Sequence, residues 1–166
     1  MTTKTISKNS TASKLADRIL EGANQLAKVA NNLNDTEWNK AVMGDGRSVG
    51  VVVHHVASVY PVEVELAQVL ASGLPITEAT KEGIDQMNAT HAAENRYISK
   101  KDTLELLKKN SETAAEAVRK LSDDELKNFN TVSLYADAPL TCQFFIEDHA
   151  LRHSFHHMAK IKQSLI

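Results

Sequence analysis

Apolar residues in this chain recur at intervals of three and four, and strict apolar/polar alternation between turn residues is nearly absent. That rhythm constrains the fold more than any other feature, because a 3.6-residue period can bury a continuous stripe only on a helix. Leu15, Ile19, Ala23, Leu26, Val29 and Leu33 form the first stripe. NNLNDTEWNK ends that helix, and the two glycines of MGDGRS make a turn, after which Ser48 or a residue just before it caps an apolar segment from Val49 to about Ala71. Pro61 lies inside this second helix, cannot donate to the carbonyl of Ala57, and predicts a kink between Ala57 and Tyr60. Thr77 or Thr80 caps a third helix with a weak stripe of Ile84, Met87, Ala92 and Ala93. A fourth runs from about Thr103 through Leu104, Leu107, Ala114, Val118 and Leu121, with Ser122 capping a further short turn. KNFNTVSLYADAPL reads as a loop or short extended piece, and the last helix runs from Thr141 or Cys142 to the C-terminus.

The class is therefore all-α, and a four-helix bundle is the expected architecture, with an irregular stack of the same helices as the alternative. At 166 residues the chain suits one domain, residues 1–166, with 1–12 expected to be frayed. A net charge of −2 supplies no basic field, so nucleic acid is not an expected partner. The polar start lacks the apolar core of a secretory signal, and no stretch reads as a membrane span; a cytoplasmic protein that uses no membrane is the expectation. Cys142 is the only cysteine, which excludes an internal disulfide and a cysteine-rich zinc cluster.

Placing the seven histidines on helix faces separates them. On the last helix, Ile146, Ala150, His153, His157 and Ile161 share an apolar lane, while Phe145, His149, Arg152, His156 and Lys160 share a mostly polar one. On the second helix His55 is the only polar member of the lane Val52, Val59, Val62, Leu66 and Val69, whereas His54 keeps company with Ser58 and Glu65. His91, among polar neighbours, reads as a surface or rim residue. Three imidazoles, His55, His153 and His157, are thus expected to face the interior.

A buried polar group without a partner costs about 1 to 3 kcal/mol. One metal ion would satisfy all three rings. An H-x-x-x-H pair presents two rings one helical turn apart, and a third from a neighbouring helix leaves coordination open to water or substrate, as in catalytic sites. The alternative for any single one is a core histidine bonded to a carbonyl or carboxylate.

SVGVVVHHVASVYPVE and HSFHHMAKI also resemble two motifs of the DinB-like superfamily. In the first, the metal-binding histidine precedes a small aliphatic-Ala pair, here His55 before Val56 and Ala57; the second resembles H-x-x-x-H-x-x-Q-I, with His153, His157 and Ile161 matching and Lys160 where Gln is common. TEWNKAVMGDGRSVG and the segment from Ile84 to Asn110 resemble the connecting and middle-helix parts less specifically. The resemblance implies a four-helix bundle with a three-histidine metal site, and a homodimer. It also implies a range of activities, among them transferases that use low-molecular-weight thiols on a small-molecule substrate. A divalent ion on three neutral imidazoles suits thiol transfer or hydrolysis, and imidazole suits zinc, nickel, iron and copper alike. A non-catalytic stress-response or interaction protein, stapled by its ion, is the competing reading.

The remaining residues invite plainer roles. Cys142 is expected to be small and buried, although a helix N-terminus can favour a thiolate. Asp148 is expected to be a surface carboxylate near a helix start, and only an indirect support for His153. Trp38 is placed over the end of the first helix, Phe144 and Phe145 in the core or along a substrate pocket, and Arg47 and Arg152 in solvent, where they could meet an anionic thiol.

Overall fold

The computed structural model describes residues 10–166. Of the segment expected to be frayed, 1–9 lie outside the described residues. Thr11 and Ala12 are instead the first turn of α1 (Thr11–Asn31), because the Ser10 side chain accepts from the N–H of Ser13 and Ala12 is fully buried. A short α2 (Asp35–Trp38) carries a capping box between Asn34 and Glu37. Then come α3 (Val49–Ala71), capped by Ser48, α4 (Lys81–Glu94), capped by Thr80, and α5 (Lys100–Arg119). α5 begins before Thr103 because Ser99 is its cap, which leaves Thr103 buried within the helix.

A single turn, α6 (Asp123–Lys127), leads through Asn128 into the least helical segment. There β1 (Phe129–Val132) and β2 (Ala138–Thr141) pair antiparallel, with Phe129 opposite Thr141 and Val132 opposite Ala138. Ala136 and Asp137 take positive φ at the tip. Ile76 bridges to Val132, so the hairpin also holds the α3–α4 loop.

The last helix is not one regular α-helix. α7 (Cys142–Ile146) passes into a π-helical turn over Glu147–Leu151 before α8 (Arg152–Leu165). The structure is a four-helix bundle of α1, α3, α5 and the α7–α8 unit, with α4 lying outside it. α1 and α3 both pack on α5, and α8 and α7 close the bundle against α1 and α3 respectively.

The core is a seam of Ile19, Leu26, Val53, Tyr60, Leu107 and Ile161, among others. α3 is long and apolar enough, by length and composition, to cross a membrane, contrary to the expectation that no stretch would qualify. Most of its most apolar window is buried inside the bundle. It runs unbroken through Pro61, and the Ala57 carbonyl that Pro61 leaves without a helical donor accepts from Asn110 Nδ2 at 2.9 Å. Trp38 packs against Gly50 at the start of α3, and its indole N–H donates to the Ile98 carbonyl. Phe145 is core, but Phe144 is 46% exposed.

Candidate metal centre

α3 and α8 face each other across the bundle, joined by a buried 2.6 Å hydrogen bond between Tyr60 and Ser154. Five residues before Tyr60 on α3, and one before and three after Ser154 on α8, the two helices present their histidines. His55 Nε2 and His153 Nε2 lie 3.1 Å apart, and one ring nitrogen from each of His55, His153 and His157 falls within 4.8 Å of the others. Two nitrogens bound tetrahedrally at about 2.1 Å would stand about 3.4 Å apart, so the cluster is close to the spacing a single ion needs.

The donor chemistry fits such an ion. Burial first, then repulsion from His153, pushes His55 down to about 2 and His157 down to about 3. Neutral rings are the metal-binding form. His153 Nδ1–H donates to Glu63 Oε1 at 2.5 Å, which fixes its tautomer and turns the Nε2 lone pair toward His55. His157 Nδ1 and Glu63 Oε2 are buried without partners among the described residues, so the cluster carries polar demand that the protein alone does not meet.

Glu63 was not visible as a functional residue by periodicity. Its signal was an acid in the middle of an apolar run, VYPVEVEL, two turns beyond His55. It takes the supporting place for which Asp148 was the indirect candidate. Asp148 is half-buried, pairs with Arg152 at 2.9 Å, and accepts the hydroxyl hydrogen of Tyr135.

His149 departs most from its expected solvated lane. The π turn accommodates one extra residue, so both Phe145 and Ile146 are buried and His149 turns inward, its ring 4.2 Å from that of Phe145. Burial holds its pKa below the ordinary value, and its Nε2 lies 3.0 Å from the Tyr135 oxygen. His91 is also more enclosed than a rim residue, because its Nε2 meets His54 Nδ1 at 2.8 Å and its ring lies edge-on to His55. His156 is exposed, as its lane implied.

Arg47 does not sit in solvent. Its guanidinium grips Asp45 at 2.6 and 2.9 Å, and its Nη1 is buried without an acceptor among the described residues. The Met43 N–H, which donates to Ser164 on α8, ties this loop to the bundle. Arg152 is exposed and bound to Asp148. Cys142 is fully buried, its thiol donates to the Ala67 carbonyl, and burial pushes it up to about 11, so the thiolate option does not hold.

The three imidazoles open into a pocket of about 880 Å³. One end carries Asp45, Arg47, Lys160 and the imidazoles; the rest is walled by α3, α4, the loop of residues 75–80 between them and the hairpin, with Val62, Leu66, Ile84, Met87 and Leu134 among the lining. The lane of α3 that was expected to be core is therefore core only at Val52 and His55, and from Val59 onward it faces this cleft.

The DinB superfamily model matches residues 18–161 of the chain. The solved structure of YfiT from Bacillus subtilis, described as a probable metal-dependent hydrolase with an unusual four-helix bundle topology, matches with a TM-score of 0.76 at 18% identity, covering 99% of this chain and 90% of that one. No curated protein matches.

Proposed function

This chain belongs to the DinB superfamily, and we propose from that premise that it is a divalent-metal-dependent enzyme whose ion is held by His55, His153 and His157. The observation that carries this reading is the convergence of three inward imidazoles at the mouth of an apolar pocket. A site with three protein ligands leaves a coordination position for a reacting group, unlike a closed structural site. Zinc, nickel or iron bound there would lower the pKa of a coordinated thiol or water, giving a nucleophile at neutral pH.

The chain's own residues do the positioning. Glu63 holds the His153 ring, Asp45 orients Arg47, and the Arg47 Nη1–H is free to meet an oxygen of a bound small molecule. Apolar walls on α3 and α4 limit water around the electrophile.

Transfer of a low-molecular-weight thiol to a small electrophile is the first reaction in this reading, with the cofactor thiol entering beside Arg47. Metal-dependent hydrolysis is the second, favoured by the description of YfiT. A cytoplasmic homodimer completes the picture, and gel filtration tests its oligomeric part.

The deciding experiment is metal content per chain on untagged protein beside His55→Ala, His153→Ala and His157→Ala. About one ion in the parent chain and loss in each variant supports the centre. A parent chain that neither carries nor takes up a divalent ion refutes it.

A further inference from the structure

α4 buries none of its residues, although Ile84 and Met87 both face the pocket. Across from them, Val62 and Leu66 of α3 also line it, and Val62 and Met87 remain 43% and 46% exposed. Two apolar helix faces thus stand opposite one another, and no side chain among the described residues fills the space between them. In a bundle of this size that is an incomplete seam, since interiors pack without voids larger than a water molecule. The hairpin keeps the seam from collapsing. Ile76 N–H donates to the Thr131 carbonyl, Ser133 N–H donates to the Ile76 carbonyl, and the Ser133 hydroxyl donates to the Ala79 carbonyl, so the loop leading into α4 is pinned to β1 and its continuation.

The cleft is also graded along its length. At the imidazole end it gathers the unmatched polar atoms Arg47 Nη1, Glu63 Oε2 and His157 Nδ1. Beyond Glu63 the face of α3 in the cleft carries only Leu66 and Val69, and the loop that follows α3 adds Ile76, Ala79 and one charged side chain, the exposed Glu78. From Val59 to Val69 the helix rises about 15 Å, the length of an extended alkyl chain of about ten to twelve carbons.

We infer that the substrate is a single-chain amphiphile, an oxygen-bearing head at the imidazole cluster and Arg47, and an alkyl or acyl chain laid along α3 beneath α4. This rests on the reading of the cluster as the reaction centre, and it adds the class of molecule the centre acts on. A chain of this kind completes the seam, covers Ile84 and Met87, and places its polar end beside Arg47, whose Nη1–H has no acceptor among the described residues. Burial of each methylene then tightens binding until the cleft is full.

The test is calorimetric titration of the full-length, metal-loaded chain with straight-chain carboxylates of four, six, eight, ten and twelve carbons, repeated after chelation and with Ile84→Asp and Met87→Asp. Neither substitution touches the core, because α4 has no buried residue. The expected result is a gain of about three- to fourfold in affinity per added methylene up to about ten carbons. The gain should persist after chelation, since the chain does not touch the imidazoles, and fall at least tenfold for the ten-carbon probe in each α4 variant. Affinity that is flat with chain length, or unchanged in both variants, overturns the inference. Metal analysis of the same samples separates this from failure of the centre itself: a chain that takes up no ion refutes the centre, whatever its response to chain length.

Discussion

Glu63 on α3 and His153 on α8, ninety residues apart in the chain, meet at 2.5 Å through Oε1 and Nδ1. That contact turns one of the cluster's imidazoles into a fixed donor. Glu63→Gln keeps the shape but removes the negative charge that makes the ring a stronger base. Affinity for the ion is expected to fall about 10- to 100-fold, measured by competition with a chelator of known affinity. Unchanged affinity would show that Glu63 does not support the cluster.

Asn110 answers for Pro61. Its Nδ2 supplies the donor that the Ala57 carbonyl loses to the proline. Asn110→Ala should destabilise the fold by about 1 to 3 kcal/mol in urea unfolding, the penalty for a stranded buried acceptor. Pro61→Ala restores the helical N–H, so the double variant should recover part of that loss. Simple additivity of the two changes would break the link between them.

Gly50 allows the tryptophan to lie on α3. A Cβ at this position would fall 2.5 Å from Trp38 Cε2 and Nε1, a separation real side chains do not tolerate. Gly50→Ala should cost about 1 to 3 kcal/mol through overpacking and shift the emission of the chain's single tryptophan toward that of an exposed indole. Native emission and stability in this variant would mean that Trp38 can move aside freely.

Cys142 should be inert at neutral pH. Its folded pKa is raised to about 11, from a reference of 9.0. The buried thiol therefore contributes stability that is complete below pH 9 and is lost as pH rises through 11, because only the unfolded chain releases the proton early. Iodoacetamide at pH 8 is expected to leave the native protein unmodified and to alkylate it once unfolded. Rapid labelling of the folded chain would contradict the burial.

Much of the bundle was legible because its signals are local. The stripe of Leu15, Ile19, Ala23 and Leu26 is buried where the spacing places it, although at the end of α1 Ala30 is buried in place of the half-buried Val29; Ser48 and Thr80, each one of the candidate caps, do cap α3 and α4. The coincidence of His55, His153 and His157 on inward faces was legible for the same reason, since His153 and His157 are one turn apart and His55 lies in an apolar lane. The lane itself was misread beyond Val59, where apolar residues face a cleft instead of a core. A helical period reports which residues avoid water, not what covers them.

What the tertiary structure alone decided lies where distant segments meet or the period changes. The π turn at Glu147–Leu151 moves His149 from a polar lane into the pocket, and a count by 3.6 has no means of anticipating an extra residue. Glu63 becomes a partner of His153, and Arg47 becomes a wall of the pocket, only because α3, α8 and the loop at Met43 are packed together. Interactions within a few residues of one another set the helices and the inward direction of three histidines. Their meeting at one point came from the packing of helices whose contacts span ninety residues or more, and the cleft beside them from α4 and the loop before it being held by the hairpin.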